Sequence, residues 1–152
     1  MMMKQLLYVE NEEALGNSLK KAFGNCKTQI TVTKSLAHAA QLISVTLFDL
    51  ILMDVTINEE KDGIRLINML REKHVFTPVC FITNTTAESL EEELFNQNCL
   101  KIISKTLDVD KIIREVDEAL YLATEAMPRF YSINKKLSVA KKFLGNQLLK
   151  MP

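Results

Sequence analysis

Asp54 closes the apolar run Leu50, Ile51, Leu52 and Met53, and a short run of this kind is the signature of a strand buried on both faces of a parallel sheet. In open α/β sheets, ligands and chemistry gather just beyond the carboxyl ends of such strands, so a carboxylate there is a candidate functional group. Asp54 could equally start an Asx-turn, and the neighbours have to decide. Three other apolar runs also end in polar groups. Leu6, Leu7, Tyr8 and Val9 lead to Glu10, Asn11 and Glu12; Val79, Cys80, Phe81 and Ile82 lead to Thr83; residues 99–103 lead to Ser104 and Lys105. If the sheet is parallel, all four ends open on one edge. Two oxygen-rich segments, 10–12 and Asp54, suit a hard cation such as magnesium, which takes one or two carboxylates, a main-chain carbonyl and waters. Asp54 could then attack a phosphoryl group, since the cation offsets the repulsion between carboxylate and phosphate. Thr83 could donate a hydroxyl hydrogen bond to one phosphoryl oxygen, and Lys105 could place a compact positive charge on another.

Other chemistries lack their residues. The first turn after a strand, from Glu10 to Gly16, has neither G-x-G-x-x-G nor a Walker pattern, which argues against dinucleotides and nucleoside triphosphates. His38 and His74 both fall in helical segments and neither follows a strand, so a Ser-His or Cys-His pair has no base. A phosphatase with an Asp nucleophile would want a second Asp two residues on, and that position is Thr56. Turnover chemistry is disfavoured, and the chain is not expected to be an enzyme.

The elements that must position these groups follow in order. Residues 4–9 read as a strand, and a helix follows through Ala14, Leu15, Leu19, Ala22 and Phe23 to a stop at Gly24 and Asn25. Residues 27–33 alternate as a second strand, and Ser35 can cap a helix whose apolar face is Leu36, Ala39, Ala40, Leu42 and Ile43. After the strand that ends at Asp54, Gly63 opens a helix with Ile64, Ile67 and Leu70 inward. The fourth strand is residues 79–82, and the next helix, from Ala87, carries Glu88, Glu91, Glu92 and Glu93 near its positive end. Residues 99–103 form a fifth strand, and from Asp110 a periodic helix runs through Ile112, Ile113, Val116, Ala119, Leu120 and Leu122. Strands and helices in alternation, joined by short connections, imply a three-layer α/β domain over residues 3–123 with helices on both faces of a parallel sheet. Beyond Pro128, residues 128–150 are expected to form a further helix, with Ile133, Leu137, Ala140, Leu144 and Leu148 on a narrow stripe and lysines opposite.

Composition bounds the partners. The 152 residues suit one domain, and the 19 basic and 19 acidic side chains cancel. Residues 128–152 nevertheless carry six bases and no acid, so an acidic body bears a basic tail. That helix could dock its stripe on its own domain or on a second copy as a homodimer. It lacks Trp and its charges are dispersed, which argues against DNA and membrane contact. Cys26, Cys80 and Cys99 are too scattered for a disulfide framework or zinc site, in keeping with a reducing cytoplasm. The N-terminus has no signal-peptide pattern, and no transmembrane run is expected.

The set formed by residues 7–12, residues 48–54, Lys61-Asp62-Gly63, residues 77–83 and Ile103-Ser104-Lys105 resembles the receiver domain of two-component response regulators, over nearly all of residues 4–123. The resemblance implies a flavodoxin-like sheet in the order 2-1-3-4-5. It implies that Asp54 takes a phosphoryl group from the phosphohistidine of a sensor histidine kinase or phosphotransfer protein. Glu10, Asn11, Asp54 and the Thr56 carbonyl would hold magnesium, and Thr83 and Lys105 would grip the phosphoryl oxygens. Residues 128–152 are too few for a DNA-binding or catalytic output domain, so a stand-alone receiver that signals to a downstream protein target is expected. Four departures accompany the resemblance. Asn11 replaces the family's usual Asp and should weaken magnesium; Ile102 replaces the aromatic switch residue; Thr106 replaces the common proline; and the loop from Asp54 to Asp62 is one residue longer than the commonest form. They leave open an alternative, a docking or dimerisation adaptor that works without phosphorylation.

Overall fold

In the computed structural model the described residues are 3–10, 12–24, 27–55, 62–84 and 99–126. They form β1 (Lys4–Val9), α1 (Glu13–Phe23), β2 (Thr28–Thr33), α2 (Leu36–Val45), β3 (Leu50–Met53), α3 (Asp62–Glu72), β4 (Val79–Thr83), β5 (Lys101–Ser104) and α4 (Val109–Tyr121). The five strands make one parallel sheet in the order β2-β1-β3-β4-β5, as the resemblance implies. The helix expected from Ala87 and the one expected over residues 128–150 lie outside the described residues.

Strand periodicity sorts the core into two layers. Leu7, Val9, Ile51, Met53, Val79 and Phe81 turn to one face, where Ala39 and Ile43 of α2 and Ile64, Ile67 and Leu70 of α3 cover them. Leu6, Tyr8, Leu50, Leu52, Cys80 and Ile82 turn to the other, under Leu19 and Phe23 of α1 and Ile112, Val116 and Leu120 of α4. β1, β3 and β4 are therefore apolar almost throughout, as interior strands of a doubly covered sheet must be. Cys80 and Cys99 are free thiols; burial pushes the Cys80 thiol up to about 12, which leaves it unreactive at neutral pH.

Several local features set the ends of these elements. Ser35 caps α2 by accepting from the His38 N–H at 3.1 Å. α4 starts one residue before the expected Asp110, because the Asp108 side chain accepts from the Lys111 N–H at 3.1 Å. Its C-terminal end widens into one π-type turn, Leu122–Ala126. β5 starts at Lys101 rather than Cys99, although the Leu100 N–H already reaches the Val79 carbonyl at 2.7 Å. At the opposite edge of the sheet from Asp54, the buried Asp49 takes the Gln5 N–H on its carboxylate at 2.7 Å and gives its own N–H to the Gln5 carbonyl at 2.7 Å. That reciprocal pair fixes how β3 enters beside β1.

His74 lies just past α3 rather than in it. Its φ of 56° is left-handed, its N–H donates to the Arg71 carbonyl at 3.0 Å, and the Val75 N–H donates to the Leu70 carbonyl at 2.8 Å. This is a Schellman turn with histidine where glycine is preferred. Arg71 secures the following loop, donating to the Val75 and Thr77 carbonyls at 2.8 and 3.0 Å. Left-handed backbone costs an L-residue roughly 1–2 kcal/mol, part of which glycine's freer unfolded chain returns. His74→Gly is therefore expected to raise stability by about 0.5–1 kcal/mol, read as a higher urea midpoint at unchanged slope; a lower midpoint would refute the strain.

Candidate functional site

The carboxyl ends of the strands meet as parallel pairing requires. Val9 pairs with Thr33 on one side and Met53 on the other, and Thr83 pairs with Ser104, so Glu10, Asp54, Thr83 and Lys105 arrive at one edge. Backbone bonds carry the register past the last strand residues. The Glu10 N–H donates to the Thr33 carbonyl at 3.0 Å, the Asp54 N–H to the Val9 carbonyl at 3.2 Å, and the Lys105 N–H to the Thr83 carbonyl at 3.0 Å.

At this edge the Lys105 ammonium bridges two carboxylates. Its Nζ lies 2.5 Å from Glu10 Oε2 and 2.5 Å from Asp54 Oδ2. The three side chains are only 10%, 1% and 9% exposed, respectively. Thr83 is buried beside them at the end of β4. Burial pulls the Lys105 ammonium toward its neutral form, but the hydrogen bonds and charges of Asp54 and Glu10 outweigh it and raise its pKa above the ordinary lysine value. Both Glu10 oxygens are engaged: the Glu12 N–H donates to Oε1 at 3.2 Å, and the Tyr8 hydroxyl donates to Oε2 at 3.3 Å. Tyr8 is fully buried. That burial, and then the negative charges of Glu10 and Asp54, push its phenol far above its usual range, so it stays a neutral donor.

Gly63 brings α3 close to this edge. A Cβ built there would lie 2.2 Å from the Asp54 carbonyl oxygen and 3.1 Å from the Val55 Cα. With no side chain in the way, the Gly63 N–H donates to the Val55 carbonyl at 3.0 Å and ties the helix start to the residue after Asp54.

The structure thus gathers Glu10, Asp54 and Lys105 in contact and places Thr83 next to them. Asn11 and Thr56 lie outside the described residues. Among the described residues no group of three or more His, Cys, Asp or Glu side chains forms a ready metal cage. The pocket nevertheless fits a hard divalent cation in its chemistry. Two buried carboxylates share one ammonium, which leaves the trio with a net negative charge and oxygen donors already gathered about a positive centre.

Tyr8 and Gly63 take roles here that their places in the sequence do not disclose. Tyr8 stands in an apolar run of the sequence, yet its i, i+2 spacing to Glu10 on one strand is a signal that both share a face. Gly63 is legible as a helix start and as the end of the Lys61-Asp62-Gly63 motif, but nothing in the sequence reports how closely β3 and α3 approach. Of the departures, Ile102 pairs with Phe81 and is half-buried against the α2 and α3 layer. Among the described residues no peptide bond is cis, so Lys105 and Thr106 are joined in trans.

A family model described as the response regulator receiver domain matches residues 6–117. No curated protein sequence matches the chain. The non-phosphorylated HemR receiver domain from Leptospira biflexa superposes with a TM-score of 0.65 at 24% identity, over 77% of this chain and 94% of that one. The receiver domain of response regulator 1452 from Francisella gives 0.67 at 22% identity, over 80% and 99%. A CheY-like receiver domain protein from Methanospirillum hungatei JF-1 gives 0.70 at 15% identity, over 82% and 98%. Likeness at these identities speaks for the fold.

Proposed function

The chain belongs to the response regulator receiver domain family, and on that premise we propose that it accepts a phosphoryl group on Asp54 and passes the signal on by protein contact. The observation that supports this most is the buried bridge in which Lys105 holds Asp54 and Glu10 at 2.5 Å each. An exposed lysine pair would be worth little. A lysine drawn into a pocket between two carboxylates keeps a positive charge at the acceptor oxygen, where an incoming phosphoryl group would otherwise meet only negative charge.

The donor in this reading is the phosphohistidine of a sensor histidine kinase or phosphotransfer protein. An Asp54 carboxylate oxygen forms a bond to phosphorus as the donor's N–P bond breaks, and the electron pair of that bond returns to the imidazole nitrogen. Lys105 holds a phosphoryl oxygen with its ammonium, and the Thr83 hydroxyl donates to another. Glu10, Asn11, Asp54 and the Thr56 carbonyl would hold magnesium, which supplies charge neutralisation at the acceptor. The Asn11 amide brings no charge of its own, so binding is weaker than with a second acid there. The chain is then a signalling module rather than an enzyme. Among the described residues no helix is long and apolar enough to cross a membrane; a cytoplasmic setting accords with the free thiols at Cys80 and Cys99.

The test is direct phosphorylation. Incubation with phosphoramidate and magnesium is expected to add one phosphoryl mass to the intact protein, and chelation of magnesium or Asp54→Ala is expected to abolish the adduct. A folded wild type that never acquires it would leave the second reading, an adaptor that works unphosphorylated. Ile102 favours that reading, because a half-buried aliphatic side chain offers no aromatic ring to turn when phosphate arrives.

A further inference from the structure

We propose that Tyr8 is a positioning residue for divalent-cation binding, its buried hydroxyl holding the Glu10 carboxylate toward Asp54. The inference rests on the reading of this pocket given above and specifies how one of its ligands is oriented.

Tyr8 sits in β1 two residues before Glu10, so the strand sends both side chains to the same face. Its ring is fully buried in the layer that contains Leu6, Leu52 and Ile82 under α1 and α4. Packing alone would be met by phenylalanine. A phenol in that layer needs an acceptor for its hydroxyl, and the acceptor is Glu10 Oε2 at 3.3 Å. Because the ring is fully buried among close-packed side chains, the hydroxyl is a fixed point rather than a mobile donor.

Glu10 needs such a point. In the structure its Oε2 faces the Lys105 ammonium, and its Oε1 takes the Glu12 N–H at 3.2 Å. When Lys105 turns to a phosphoryl oxygen, the Glu12 N–H and the Tyr8 hydroxyl remain, one on each oxygen, to keep the carboxylate in the plane it now occupies. Partners of this kind, bonded to a ligand rather than to the metal, typically change metal affinity by about 10–100-fold when removed.

The experiment titrates magnesium alone, without any phosphodonor, into the wild type and Tyr8→Phe, with the dissociation constant read by calorimetry. Tyr8→Phe keeps the ring, so its urea midpoint in chelator should stay near that of the wild type. Its magnesium dissociation constant should rise at least about tenfold. At saturating magnesium, its phosphoryl adduct should reach the wild-type yield, so only the magnesium midpoint moves. Tyr8→Phe that binds magnesium as tightly as the wild type, or more tightly, overturns the positioning role whatever happens to its stability. A wild type that binds no magnesium sinks the pocket reading itself and this inference with it, and the two failures are thereby told apart.

Discussion

Lys105→Met is expected to destabilise the folded chain by about 3–5 kcal/mol in metal-free buffer, the cost typical of removing one partner from a buried charge pair. Methionine retains the length and much of the volume of the lysine stem, so the loss is that of the ammonium. Without it, Glu10 and Asp54 face one another with the bridging charge gone. Two consequences make the prediction specific. Magnesium should restore part of the stability, because a ligand that binds the folded state at a hundredfold above its dissociation constant contributes about 2.7 kcal/mol. In the wild type the cation must compete with the Lys105 ammonium for the same two carboxylates, so it should stabilise the variant more, and the gap should narrow in urea melts run with magnesium against melts run with chelator.

The pH dependence has a fixed sign. The folded-state pKa of Lys105 is raised above its ordinary 10.5, so the stabilisation it brings is fully present below that value. It is lost only as pH rises through the higher folded value. Between neutrality and moderately alkaline pH the difference between the two proteins should stay constant. A difference that already shrinks near neutrality, or a Lys105→Met protein as stable as wild type in chelator, would show that the bridge does not hold the folded state together.

Gly63→Ala is expected to cost on the order of 3 kcal/mol, at the upper end for overpacking because the obstacle is backbone. The new methyl would meet the Asp54 carbonyl oxygen at 2.2 Å, and no side-chain rotation relieves that contact. The start of α3 must move away from β3, which also strains the Gly63 N–H bond to the Val55 carbonyl. Since the displaced atoms belong to Asp54 and Val55, the Asp54 carboxylate moves with them. A shift of about 1 Å in reacting groups can lower a rate by about 100-fold, and a fall of that order is expected in phosphoramidate uptake. Gly16→Ala is the matched control. Its Cβ would meet the Val32 side chain at 3.1 Å, and a side chain can give way by tenths of an ångström. Equal losses at the two glycines would refute the close approach of α3 to Asp54.

The alternation of strands and helices was legible along the chain, because apolar periodicity is a local property. The apolar runs at β1, β3 and β4 mark interior strands, Ser35 marks a cap, and the polar residues that end the runs are Glu10, Asp54, Thr83 and Lys105. Element ends were less legible. Asp108 competes with Asp110 as the cap of α4, and only hydrogen-bond geometry selects Asp108. Which of these groups touch follows only from how the strands and helices pack. Lys105 and Asp54 are 51 residues apart, and whether an ammonium on β5's end reaches across to both β3 and β1 depends on register and twist summed over three strand pairs. The same holds for Gly63, whose missing side chain matters only because α3 docks on the Asp54 backbone, and for Tyr8, whose phenol matters only because the core fixes it against Glu10. Type and order of polar groups are written along the chain, whereas ångström distances between them arise from packing of segments that the chain keeps far apart.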